Sequence, residues 1–327
     1  MMRQMFLTVL ALGSSAVLSA QPMTTKLDAV SGIPKMDSTT QTEDVKFKSG
    51  QDDRMTVPVR LSGSGPYRFL VDTGADRTAV SSEVARQLGL AQGDKAAIHT
   101  VSGISTVSTA TLPQLQLTNK AVKITDAPLL ESVNMGADGI IGVDALRSQS
   151  VLFDFDKGML SIVPSAAAEL SDEPDVIVIQ ASRRNGRLIV TDAVANGHKL
   201  TVVVDTGAQL CMGNLALRDE LLGRGLVDEN KKVALESVTG GLIDGDYMFV
   251  RKLDIGGVTL TNLAIVFTEA HTFKELKLED RPALLLGMNA MRAFKKVSID
   301  FANHKFRVVL PETGELDNVR MANARLR

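Results

Sequence analysis

Phe69-Leu70-Val71-Asp72-Thr73-Gly74-Ala75-Asp76 has a second version further down the chain, Val202-Val203-Val204-Asp205-Thr206-Gly207-Ala208. Each is a short apolar run that ends in a carboxylate, then a hydroxyl, then a glycine that permits a backbone turn other residues resist. One such motif by itself reads as a turn residue closing a buried strand. The frame around it changes that reading, because Arg54 to Ala75 lies over Arg187 to Ala208 without a gap. The chain carries two acids of one construction, and the ends of two such strands can meet.

The landmarks on either side repeat in the same order. Val57, Val59 and Leu61 alternate with polar neighbours, and Gly63-Ser64-Gly65-Pro66 turns the chain back toward Asp72. Ser81-Ser82-Glu83 then caps a short helix carrying Val84, Ala85 and Leu88 and closed by Gly89. Strands are expected over Ala97 to Ser108 with Gly103 inside, Thr111 to Leu117 and Val122 to Ile124. Gly139-Ile140-Ile141-Gly142 and a strand pair around Val151 to Phe155 and Leu160 to Val163 follow. The second pass has Leu188 to Val194, Asp205, a helix from Asn214 to Leu222 closed by Gly223, and Ser237-Val238-Thr239-Gly240-Gly241. It ends with Leu284-Leu285-Leu286-Gly287 and a pair around Val297 to Phe301 and Phe306 to Leu310. Two homologous lobes are therefore expected, at 44–164 and 175–311, joined by a small, acidic, proline-bounded linker at 165–174. His271 to Asp280 reads as an insertion in the second copy.

Composition narrows the function classes. At 327 residues, 44% hydrophobic content and a net charge of -2, the chain can bury proper cores and carries no basic bias toward nucleic acid. Cys211 is the only cysteine, which excludes an intrachain disulfide framework and a cysteine-based metal knuckle; it reads as a small buried apolar residue. His99, His198, His271 and His304 show no metal-ligand spacing and read as isolated surface histidines, so neither a metal nor a cofactor is expected. There is no phosphate loop and no serine nucleophile elbow. Residues 1–20 pair Arg3 with the apolar Met5 to Leu12 and a small-residue stretch to Ala20, the pattern of a cleaved signal peptide. They imply export, to the periplasm or outside the cell, with a membrane anchor only if the segment stays uncleaved. A polar tether is expected at 21–43 and a fraying tail at 312–327.

Two like carboxylates about 3 Å apart cannot both ionise, so one proton is shared and identical side chains become one acid and one base. The ionised partner takes a proton from water attacking an amide carbonyl, while the protonated one donates to the carbonyl oxygen. Gly74 and Gly207 would let backbone N–H groups approach the carboxylates, and Thr73 and Thr206 are expected to hydrogen-bond across the two copies.

With these motifs the chain resembles the aspartic proteases of the retropepsin-like and pepsin-like clan, in particular exported bacterial aspartyl proteases with two retropepsin-like repeats in one polypeptide. Asp72-Thr73-Gly74-Ala75-Asp76, Asp205-Thr206-Gly207-Ala208, Ile140-Ile141-Gly142 and Leu285-Leu286-Gly287 carry the resemblance, which runs from about Val45 to Pro311. It implies an all-β bilobal acid-protease fold of two β-barrel lobes with short helices. Asp72 and Asp205 would be catalytic at the lobe interface, and a peptide or protein substrate would lie across them beneath hairpin flaps. Gly103, Gly240 and Gly241 are the expected flap-tip residues, and Asp76 matches a position that grips substrate backbone. Gln209 stands where the second copy would need a counterpart of Asp76, Val143 and Met288 replace the arginine of retroviral relatives, and neither flap has a pepsin-type tyrosine. The expected activity is that of a monomeric aspartic endopeptidase. Two alternatives remain: a non-catalytic peptide-binding module using the same cleft, and an oligomer whose repeats pair between chains.

Overall fold

A computed structural model describes residues 25–26, 43–46, 55–165, 170, 176–184, 187–223 and 227–311. The expected signal segment and tail lie outside these residues, as does most of the tether and linker. The described chain is mostly β, in two sheet-rich lobes with six short helices.

The alternation read at Val57, Val59 and Leu61 becomes the strand Thr56–Leu61, with those three side chains buried and Pro58 and Arg60 between them turned outward. It pairs antiparallel with Ser64–Val71, the strand that delivers Asp72. From there the N-terminal lobe runs Gly139–Ile141, Ala79–Ser81, Ala121–Leu130, Gly103–Gln116 and back to Thr56–Leu61, which closes the sheet into a barrel. Gln92–Thr100 lies outside Gly103–Gln116. The C-terminal lobe has the same neighbour relations. Arg187–Ala195, His198–Val204, Ala283–Leu286, Cys211–Gly213, Val258–Phe267 and Leu242–Ile255 close on Arg187–Ala195, and Val227–Glu236 flanks Leu242–Ile255. The duplicated order of landmarks is thus a duplicated ring of strands.

Both expected helices form where their caps predict. Ser81 accepts a hydrogen bond from the Val84 N–H at the head of Ser82–Gln87, and Asn214 accepts one from Leu217 at the head of Leu215–Leu222. The stretch expected as one strand over Ala97 to Ser108 is instead two, because the chain reverses at Val101-Ser102 and Gly103 takes φ +135°. A second surprise lies in the polar segment read as a tether. Thr25–Lys26 pairs in parallel with Ala96 and Ala97 on the outer edge of that hairpin, and Glu43 opens the strand Glu43–Lys46.

A third sheet joins the lobes. Its strands run Val176–Gln180, Lys305–Val309, Lys296–Asp300, Gln149–Asp154, Met159–Pro164 and Glu43–Lys46. The pairing across the middle, Val151 opposite Ile299 and Phe153 opposite Val297, is between repeats. Val151, Phe153, Leu160, Val297, Ile299 and Phe306 are fully buried and belong to one hydrophobic cluster that extends into both barrels. The halves therefore share a core, and the acid loops at its upper end are held in fixed relation.

Candidate active site

Each acid loop hangs between two strands of its own lobe. Ser64–Val71 runs parallel to Gly139–Ile141, and the Asp72 N–H donates to the Ile141 carbonyl at 3.0 Å; His198–Val204 runs parallel to Ala283–Leu286, and the Asp205 N–H donates to Leu286 at 3.1 Å. The next residue pair is fixed in the same way. The Thr78 and Cys211 N–H groups donate to the side chains of Asp144 and Asn289, each two residues beyond the apolar-apolar-Gly segment. Asp144 also accepts from the Thr78 hydroxyl at 2.6 Å, and burial pushes its carboxyl above the usual carboxylate range. Cys211 is buried, its sulfur accepts from the Gly287 N–H, and burial raises its thiol to about 12, which leaves it as inert packing.

Between the lobes the threonines form a reciprocal clasp. The Thr73 N–H donates to Thr206 Oγ1 and the Thr206 N–H to Thr73 Oγ1, both at 3.0 Å. Each hydroxyl then donates onward into the opposite repeat, Thr73 to the Val204 carbonyl at 3.0 Å and Thr206 to Val71 at 2.7 Å. Four buried backbone groups at the interface are satisfied by two side chains.

Asp72 and Asp205 face each other above this clasp. The Gly74 and Ala75 N–H groups donate to Asp72 Oδ1 at 2.8 and 3.0 Å, and Gly207 and Ala208 to Asp205 Oδ1 at 3.0 and 3.3 Å, which fixes the carboxyl planes. Each carboxyl rests against the other repeat's glycine. A Cβ at Gly74 would stand 2.5 Å from Asp205 Oδ1, and one at Gly207 would collide with the Asp72 carboxyl. Both acids are raised. Burial and then the neighbouring Asp205 bring Asp72 to about 7, against the pull of the loop N–H groups and of Arg187. Burial raises Asp205, opposed by Arg187, by its own loop N–H groups and by a hydrogen bond from Asp72. Two acids that repel and share a hydrogen bond hold one proton jointly.

Arg187 is the site residue that the sequence reading passed over. Its Nε donates to the Gly74 carbonyl at 2.9 Å and its guanidinium lies 4.0 Å from Asp76, so a cation of the second repeat braces the acid loop of the first. Arg54 occupies the matching frame position, and that repetition was a usable signal. Asp76, only partly exposed, is thereby tied to the second repeat.

The two hairpin turns meet over the loops. Ser102 donates to Ser237 Oγ at 2.8 Å, Ser237 and Thr239 hydroxyls are 3.0 Å apart, and Ser105 reaches Thr239 at 3.4 Å. Gly103 and Gly240 take positive φ at these turns, and Gly241 packs on Ser102 so closely that a Cβ there would clash. Val101 joins the C-terminal cluster that takes in Ala208, while Val238 joins the N-terminal cluster that takes in Ala75, so each tip crosses to the opposite acid loop. Thr100-Val101-Ser102-Gly103 and Ser237-Val238-Thr239-Gly240 are versions of one tetrapeptide, a repeat the reading by order alone left unused. A cavity of about 710 Å³ opens beside the crossing, between Ser82 and Arg86 of the first helix and Ser105 to Ser108 of the hairpin, with Val238 and Thr239 at its rim.

The histidines require a correction. His198 pairs with Glu220 at 2.5 Å, and His99 and His271 stack with ring centroids 5.0 Å apart, so these three are not isolated. Position along the chain concealed the contacts, since His99 and His271 come from different lobes.

Residues 57–148 match the family model described as "gag-polyprotein putative aspartyl protease", and residues 191–290 match the model described as "Aspartyl protease". No curated protein matches the chain. The two matched segments are the two barrels, and each contains one of the facing acids together with its apolar-apolar-Gly strand. The chain belongs to the aspartyl proteases, built as two retropepsin-like repeats in a single polypeptide.

Proposed function

We propose that this protein is an aspartic endopeptidase that hydrolyses peptide bonds of protein substrates between Asp72 and Asp205, and that it acts as a monomer. The observation that carries the reading is the facing of the two carboxyls across the lobe interface. The two carboxyls are hydrogen-bonded to each other, both raised, and each is oriented by two backbone N–H groups. Water held between them loses a proton to the carboxylate as its oxygen attacks the amide carbon, and the proton already on the pair passes to the carbonyl oxygen. The resulting gem-diol collapses as the amide nitrogen accepts a proton from the dyad, one gem-diol hydroxyl returns a proton to it and the C–N bond breaks, which leaves the pair with its single proton again. Neither acid is assigned one role, because the pair titrates as a unit. The crossed hairpins must lift to admit an extended peptide and then close over it, with Gly103, Gly240 and Gly241 at the moving tips and Asp76 beside the substrate backbone. Residues 1–20 support export to the periplasm or beyond; among the described residues no helix is long and apolar enough to cross a membrane.

Cleavage of a peptide library between pH 4 and 7 tests the reading. Asp72→Asn and Asp205→Asn should each lower kcat by at least about 10³-fold, within the range for loss of a general acid or base, with the thermal transition retained. Substantial cleavage by either single variant would refute a shared dyad. Binding of peptides without turnover in the wild type would mark the cleft as a recognition module instead.

A further inference from the structure

The second repeat carries the helix His271–Glu275 in a longer connection, where the first repeat has the shorter helix Ser132–Met135. Phe273, Leu276 and Leu278 fasten it into the C-terminal lobe, where all three are buried. Its other side meets the N-terminal hairpin: the His271 N–H donates to the carbonyl of Val101 at 2.9 Å, at the hairpin's turn. Directly below that turn His99 projects from the strand Gln92–Thr100. His99 Nδ1 lies 2.8 Å from His271 Nε2 and 2.9 Å from Glu275 Oε1, and the remaining edge, His271 Nε2 to Glu275 Oε1, is 3.6 Å. Two imidazole nitrogens and a carboxylate oxygen thus converge from two lobes.

We propose that His99, His271 and Glu275 bind one first-row divalent metal ion of the zinc type, and that the bound ion pins the N-terminal hairpin shut over the cleft. The donor set is the one found in open zinc sites, two imidazoles and a carboxylate with a fourth position left for water. Tetrahedral bonds of about 2.0–2.1 Å separate neighbouring ligand atoms by about 3.3 Å, and the three edges of 2.8, 2.9 and 3.6 Å straddle that figure. An ion at such distances from all three atoms sits about 0.9 Å off their plane, on the side where the fourth ligand enters. His271 and Glu275 are one helical turn apart, so their donors share a face without rearrangement. All three side chains are partly exposed, between 19% and 31%, which leaves an entry path for the ion. Nitrogen donors favour zinc, nickel or copper over magnesium or calcium.

The hairpin effect rests on the endopeptidase reading; the metal site does not. Equilibrium dialysis of the full chain against Zn²⁺ should give one ion per chain, with a rise in Tm, and Mg²⁺ should not compete. His271→Ala and Glu275→Gln should each weaken binding more than about 100-fold, beyond the usual loss for an outer-shell partner, with the metal-free Tm within a degree or two of wild type. Zn²⁺ should then inhibit peptide cleavage by the wild type reversibly, with chelator restoring it, and leave the Glu275→Gln variant active. Absence of stoichiometric binding, or wild-type affinity in both variants, would overturn the site; binding without inhibition would overturn the pinning. Dialysis uses no substrate, so a chain that cleaves nothing leaves the metal result standing.

Discussion

Thr73 and Thr206 bring the two acids into register, and the effect is one of buried hydroxyls rather than of charge. Removing the Thr206 hydroxyl takes the acceptor from the Thr73 N–H and the donor from the Val71 carbonyl, both buried at the interface. Each orphaned buried group costs about 1–3 kcal/mol, so Thr206→Val should destabilise by several kcal/mol in chemical denaturation. Thr73→Val should show less than additive loss in the Thr206→Val background, because the two share one network. A residue-scale pH effect follows from the raised carboxyl. Between the ordinary value of 3.8 and about 7, Asp72 is protonated in the folded chain and ionised in the unfolded one, so unfolding releases a proton and stability falls as pH rises through that window. Asp72→Asn removes this slope, and its Tm should gain on that of the wild type from pH 4 to pH 8. Arg187 pulls both acids down, so in Arg187→Met the alkaline limb of the rate profile should move to higher pH, where the wild type falls off near 7. A limb that stayed fixed would mean that Arg187 braces Gly74 without influencing the proton.

Among elements, what could be read in advance was whatever repeats along the chain. The alternation at Val57, Val59 and Leu61, the caps at Ser81 and Asn214, and the two Asp-Thr-Gly loops carry local signals, and the strands and helices stand where those signals put them. The hairpin turn was expected at Gly103, but the strand bounds Ala97 to Ser108 ran through it, because the stretch is strand-like on both sides of that one glycine. Arg187 and the His99–His271–Glu275 group were missed for another reason. Arg187 with Gly74 and Asp76, and His99 with His271 and Glu275, are contacts between lobes, and no spacing within one segment reports a contact made across an interface. The pairing of Thr25–Lys26 with the hairpin edge belongs to the same class, since two residues of a polar stretch carry no periodicity of their own.

At the scale of the whole molecule, the joining sheet sets the geometry of the site. Its central strands, Gln149–Asp154 and Lys296–Asp300, come from opposite repeats, and the buried cluster beneath them is continuous. Neither barrel can tilt freely without disturbing Val151, Phe153, Val297 and Ile299, which keeps the acid loops at contact distance. The asymmetry of Asp76 against Gln209 is imposed on this nearly symmetric frame, so the Arg187–Asp76 pair differs from whatever Gln209 offers on the other side. The two ends of a bound peptide would therefore meet unlike walls.

The same joining sheet makes the chain a natural candidate for splitting. Cut between Pro164 and Val176, each piece keeps its own barrel but loses the partner for a strand that buries two large apolar side chains, Val151 and Phe153 in one piece and Val297 and Ile299 in the other, and the other piece is the complementary surface. Co-expressed halves should reassemble into one particle that recovers turnover, while either alone should aggregate or self-associate, and size-exclusion chromatography of the mixed and separate pieces would tell. A protein of this design could thus be made conditional, its two acids brought together only when two fused partners meet.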